Sequence, residues 1–206
     1  MSFKKALAVA VFGAMLSAPA VLFAAAHESE VAVTDLSLYY KKEGLDYGKY
    51  NAVLIGRLGV EDARVVAPPW VTGEDRSPQK WQLTGADIRW LRKSYREAMR
   101  QEIEADDGYP VVNKAGDGVL IVDIEIIYLM PYARKGENVT VRGFGEMLVQ
   151  AQLRDGMTGE LLGLFEGTQE VGSEYQQNTR LNAENDLRDL FSYWGSRVRG
   201  LLDQRN

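Results

Sequence analysis

Three β-forming runs follow one another between Val119 and Glu170, joined by short polar turns, and no other stretch of the chain restricts the fold as tightly. Val119 to Met130 is too rich in isoleucine and valine for a helix, and it stops at Pro131, which cannot donate to a ladder. A polar turn around Gly136 leads to a second run from about Thr140 to Arg154. Asp155-Gly156-Met157-Thr158-Gly159-Glu160 then makes the tight link to the third, Leu161 to Glu170. Strands joined this closely pair as an antiparallel meander. In the second run Val141, Gly143, Gly145, Met147, Val149, Ala151 and Leu153 share one face, while Arg142, Glu146, Gln150, Gln152 and Arg154 share the other. One face is therefore dry and one wet. Gly143 and Gly145, with Gly163 and Gly167 on the next strand, are expected to let a helix approach the dry face closely.

Two helices supply that cover. Thr84 stands as an N-cap with Asp87 at the third helical position, and Ile88, Leu91, Tyr95, Met99 and Ile103 recur at helical spacing. Gly108 and Pro110 prevent extension beyond about Ala105. Near the end of the chain, Asn178 or Thr179 caps a helix whose stripe is Ala183, Leu187, Leu190, Trp194, Val198 and Leu201. Upstream, Ala52-Val53-Leu54-Ile55 reads as a buried strand continuing through Leu58 and Val60, and Glu61 to Leu83 as a long loop punctuated by Pro68-Pro69, Gly73 and Pro78. The predicted class is α+β: a mostly antiparallel sheet with a three-stranded meander and two amphipathic helices packed on one face. Residues 50–206 form its single domain, preceded by an extended arm at 27–49.

Residues 1–26 have the pattern of a secretory signal peptide. Lys4 and Lys5 precede an apolar run from Ala6 to Ala18, and Ala24-Ala25-Ala26 ends it with small side chains. Cleavage before His27 is expected, which places the protein in the periplasm; an uncleaved segment would instead be a membrane anchor. Of the 24 basic residues in the chain this removes Lys4 and Lys5, leaving 22 against 29 acidic ones. A net charge of −7 argues against nucleic acid as a partner. The sequence contains no cysteine, so no disulfide, thiol nucleophile or acylation site exists. The one histidine, His27, falls at the expected new N-terminus, which removes Ser-His-Asp and histidine-based zinc chemistry from the domain. No cofactor or metal is expected.

What remains for chemistry is carboxylates and aromatic rings. Asp123 and Glu125 alternate on the first meander strand, with Glu146, Glu166 and Glu170 on its neighbours. Acids gathered on a wet sheet face bind a hard cation, share acid and base roles, or simply pair with Arg142 and Arg154 across strands. Trp70 and Trp81 in the long loop, with Tyr50, either form an aromatic platform for sugar rings or a protein partner, or fold the loop onto the core edge. Gly143-Phe144-Gly145 lacks the third glycine and following helix of a dinucleotide fingerprint.

The order of several short motifs resembles the bacterial envelope proteins, many of them predicted lipoproteins, of domain-of-unknown-function family thirty-three-thirteen. The residues are Leu36-Ser37-Leu38-Tyr39, Gly44-Leu45-Asp46-Tyr47, Tyr50-Asn51-Ala52-Val53, Ser94-Tyr95-Arg96-Glu97-Ala98, Tyr109-Pro110-Val111-Val112, Gly118-Val119-Leu120, and Asp155 with Thr158-Gly159-Glu160-Leu161. The resemblance spans roughly residues 36–200. It implies no activity and no catalytic residues, and the missing lipobox cysteine implies a form without a lipid anchor. Three functions fit these readings: a non-enzymatic module binding an envelope protein or cell-wall component, a carboxylate-dependent glycan hydrolase using Asp123 and Glu125, or a carrier of a small ligand or metal.

Overall fold

A computed structural model describes residues 36–204. The expected signal peptide and the arm up to residue 35 lie outside the described residues. In chain order the elements are β1 (Ser37–Lys41), β2 (Ala52–Ile55), β3 (Arg64–Val65), α1 (Gly85–Glu104), β4 (Val111–Val112), β5 (Val119–Pro131), β6 (Thr140–Arg142), β7 (Gly145–Asp155), β8 (Leu161–Val171), β9 (Tyr175–Gln177) and α2 (Arg180–Asp203). A seven-stranded sheet runs β1-β8-β7-β5-β2-β4, with β3 also on β5, and β6 pairs with β9 in a second, two-stranded sheet. The meander is present: β5, β7 and β8 pair antiparallel in sequence order. The sheet is mixed, since β2 runs parallel to both β4 and β5 and β3 runs parallel to β5.

Period two sets the two faces. Leu120, Val122, Ile124 and Ile126 on β5 and Met147, Val149, Ala151 and Leu153 on β7 are buried. A bulge between Ile126 and Tyr128 then resets the alternation, so that Leu129, opposite Met147, returns to the buried side. Both helices complete the same core from that side. α1 begins where the sequence places it, with Thr84 and Asp87 forming a reciprocal capping box, and α2 begins at Thr179, whose side chain accepts from the Asn182 amide. Tyr95 of α1 meets Phe191 and Trp194 of α2 edge-on, at centroid distances of 5.7 and 6.5 Å. Fully buried side chains such as Ile103, Leu190 and Leu202 each contribute about 1.5–3 kcal/mol.

Several expectations are corrected. The run Thr140–Arg154 is two strands, because Gly143 adopts φ +64° and hands β6 to β9 while β7 stays in the main sheet. None of the four glycines makes room for a helix. A Cβ on Gly143 would meet the Gly172 carbonyl at 2.2 Å, one on Gly145 the Met130 carbonyl at 2.3 Å, one on Gly163 the Phe165 ring, and one on Gly167 Leu36. Close helix approach is instead provided by Gly195 of α2, where a Cβ would lie 2.8 Å from Glu102 Cβ and 3.0 Å from the Met99 carbonyl. β2 ends at Ile55 and continues only as a single bridge from Gly59 to Glu125. The 61–83 loop contains β3 and two 3-10 turns, Gly73–Arg76 and Pro78–Lys80. Within the stretch expected as an arm, residues 37–41 pair with β8 and Tyr47 is buried.

The β7–β8 turn is held by Asp155, whose carboxylate accepts from Lys49, the Tyr50 hydroxyl, the Met157 and Thr158 amides and the Thr158 hydroxyl. The Lys49 contact, with the other hydrogen bonds, holds its carboxyl well below the usual carboxylate range. One charge thereby ties the entry to β2 to a turn more than a hundred residues away.

Candidate functional site

The face of the sheet turned away from the helices carries all five acids singled out from the sequence, Asp123, Glu125, Glu146, Glu166 and Glu170, but their register separates most of them. Glu125 lies opposite Gln150, which lies opposite Glu166, so these two carboxylates stand two strands, about 10 Å, apart. Arg154 donates to Gln152, Gln152 to Gln150 and Gln150 to Glu166, at 2.6, 3.0 and 3.1 Å. That relay runs along β7, crosses to β8 and leaves Glu166 hydrogen-bonded. Glu146 does face another acid, Glu170, directly across β7 and β8. The Tyr128 hydroxyl donates to Glu146 at 3.1 Å, and Arg142 contacts Glu170 at 3.3 Å.

Asp123 sits over Gly56, where a Cβ would fall 2.0 Å from its Oδ1. Burial raises its carboxyl pKa, with Arg154 opposing the rise. With Arg57, Gly59, Glu125, Gln150 and Gln152 it lines a recess of about 170 Å³. Asp123 and Glu125 point from one strand into that same recess, rather than facing each other across a groove as a glycosidase pair must. Among the described residues no group of three acids or histidines is arranged to hold a metal ion.

The two loop tryptophans part company. Trp70 is 61% exposed and leans on Tyr132 with centroids 5.5 Å apart, whereas Trp81 is buried and donates its indole N–H to the Asp75 carbonyl at 2.8 Å. Tyr50 belongs to the core, with its hydroxyl on Asp155, and takes no part in a loop platform.

Trp81 instead forms one wall of a cavity of about 440 Å³ between the N-terminal halves of α1 and α2. The turn containing Pro78 sets Trp81 over the start of α1, and Trp90 and Leu91 face it from the helix. Leu129, Pro131, Ala133 and Phe144 close the sheet side, and Ala183 and Leu187 the α2 side. Asn178 fixes the far rim by donating to the Arg134 and Glu137 carbonyls, both at 2.8 Å, which binds the β5–β6 connection to the start of α2. At the mouth lie Lys80, Lys135 and Arg180, with Asp87 and Glu184. Burial disfavours ionisation of Asp87, but the Lys135 and Thr84 hydrogen bonds outweigh it and hold the carboxyl below its ordinary value.

Of the candidate site residues named from the sequence, only Trp81 lines this cavity. The structure adds Phe144, Trp90, Leu129, Lys135 and Arg180 as lining residues. Trp90, half-buried on α1 yet off the Ile88-Leu91-Tyr95 stripe, is the one local hint that α1 buries a second face at its N-terminal end.

Comparison with known proteins places the chain in a family. It belongs to DUF3313, a family of proteins of unknown function, whose model matches residues 26–198. No curated protein matches it. Among solved structures it is similar to a Xanthomonas campestris protein of the DUF330 family model, at 10% identity and a TM-score of 0.41, covering 74% of this chain and 86% of that one. It is also similar to the PelC dodecamer of Paraburkholderia phytofirmans, at 9% identity and a TM-score of 0.37, covering 79% of this chain and 97% of that one.

Proposed function

We propose that this member of DUF3313 is a non-enzymatic binding module of the bacterial cell envelope, and that it holds a small envelope molecule with an apolar body in the cavity between α1 and α2. The observation that carries this reading is the cavity itself. Its volume of about 440 Å³ falls in the range of small-molecule sites, its walls are aromatic and aliphatic, and its polar groups are confined to the rim. The envelope location rests on the signal-like residues 1–26, and the acidic chain without cysteine fits a periplasmic protein that neither binds nucleic acid nor carries a lipid anchor. The open sheet face supports the hydrolase alternative poorly, because its acids are either hydrogen-bonded across strands or side by side on one strand.

Trp81 and Trp90 make the cavity self-reporting. Titration with the neutral apolar probe N-phenylnaphthylamine is expected to give saturable one-to-one binding that perturbs tryptophan emission. Ala183→Phe, which fills the cavity from α2, is expected to abolish binding while the protein still melts cooperatively. Absence of saturable binding, or binding unchanged in a folded Ala183→Phe protein, would overturn the reading.

A further inference from the structure

The mouth of the cavity carries a sign, and that sign selects the ligand. We propose that the occupant is an anionic single-chain amphiphile whose alkyl chain lies along Trp81, Trp90, Leu129, Phe144 and Leu187 while its carboxylate or phosphate head rests at the mouth among Lys80, Lys135 and Arg180. The inference rests on the cavity being a ligand site, as proposed above, and adds the chemistry of what enters.

The walls decide the body. The Trp81 indole N–H is already spent on the Asp75 carbonyl and the Asn178 amide on two backbone carbonyls, so the interior offers carbon surface and little else. A body bearing hydroxyls or amides would leave them unpaired there, at a cost of about 1–3 kcal/mol each. The volume lies toward the low end of small-molecule sites, which suits one chain rather than two.

The mouth decides the head. Lys80, Lys135 and Arg180 come from three separate segments, and their side chains are 41, 71 and 76% exposed, so each can swing to an incoming group. At rest each base is paired, Lys80 with Asp75 at 2.9 Å, Lys135 with Asp87, which also caps α1, and Arg180 with Glu184 at 2.5 Å; these exposed ion pairs are weak in water and yield to an incoming anion. α2 opens at the same mouth with a neutral Thr179 cap and no acid in its first turn, which leaves the positive end of its dipole uncompensated. The lining sets three bases against two acids, a net positive charge to which that helix end adds, and this disfavours a cationic head. An anionic one gains charge-assisted hydrogen bonds from the bases.

The test compares laurate, dodecyl phosphate, dodecanol and dodecyltrimethylammonium, each below its micelle concentration, by tryptophan fluorescence at pH 7.5 and low salt. Laurate and dodecyl phosphate are expected to bind at least about tenfold more tightly than the other two. The double substitution Lys135→Glu with Arg180→Glu, on exposed side chains, is expected to remove most of that advantage and leave dodecanol affinity within about twofold. If all four bind alike, or if the double variant keeps the preference for anions, the inference is overturned while the cavity remains a ligand site. If none binds, the cavity reading fails and takes the inference with it.

Discussion

Asp186 and Asp155 show how environment gives one side chain opposite effects on stability. Asp186 lies half-buried on α2 against Gly172, where a Cβ would fall 2.4 Å from its carboxyl carbon. Burial pushes its pKa up to about 6, helped by the like charge of Asp189 and opposed by the hydrogen bond from Gln176. A folded value above the unfolded one, about 3.9, means that the native state holds the proton more tightly. Its contribution is therefore greatest below about pH 4 and is lost as pH rises toward 6. Asp186→Asn is expected to melt above the parent protein at pH 7.5, with the difference vanishing near pH 4, in thermal melts followed across that range; solvent screening of the half-exposed group limits its size. An unchanged difference at both pH values would contradict this. Asp155 has the reverse sign: its depressed pKa stabilises the fold above about pH 4, and that contribution is lost as pH falls toward the folded value. Tyr95 sets a different cost, since its hydroxyl is buried in the aromatic cluster with no hydrogen-bond partner among the described residues.

Gly195 governs how α1 and α2 meet. Any larger side chain there must displace the Met99 backbone or the Glu102 Cβ, so Gly195→Leu is expected to destabilise by roughly 2–3 kcal/mol in denaturant titrations, and a substitution at the exposed Gly200 by far less. Equal effects at the two glycines would show that the helices can slide apart at little cost. The elements themselves were largely legible, because their signals are local: Thr84 and Asp87 announce a cap, and Ile-Val alternation announces a strand. The division of Thr140–Arg154 was not, since Val141 continues the alternation of β7 and the break comes from the positive φ at Gly143, where the Val171-Gly172 backbone leaves no room for a Cβ. The shared polar face of Asp123, Glu125, Glu146 and Glu166 followed from period two, whereas their spacing depended on strand register. The cavity left almost no local trace, for Trp81, Phe144 and Ala183 come from a loop, a strand break and a helix that only tertiary packing unites.

Across the whole molecule, protection should fall from the middle of the sheet outward. β5 and β7 are paired on both sides and covered by helices on one face, whereas β1 is an edge strand whose five residues are all exposed. Backbone amides of Ile124 and Val149 are expected to exchange hydrogen most slowly, and those of β1, β6 and β9 fastest, by exchange followed with NMR or mass spectrometry. Slow exchange throughout β1 would reveal a partner on that edge. The parallel insertion of β2 has a temporal consequence. Val53 pairs with Leu120, so the apolar Val53-Leu54-Ile55 run leaves the ribosome 67 residues before the strand that will shelter it exists. At about 5–20 residues per second that is several seconds at least of unprotected apolar chain. The meander can assemble from neighbours as soon as it is made, but the sheet is completed only when an early segment is retrieved. Completion of this fold therefore depends on whatever keeps that segment from associating elsewhere in the meantime.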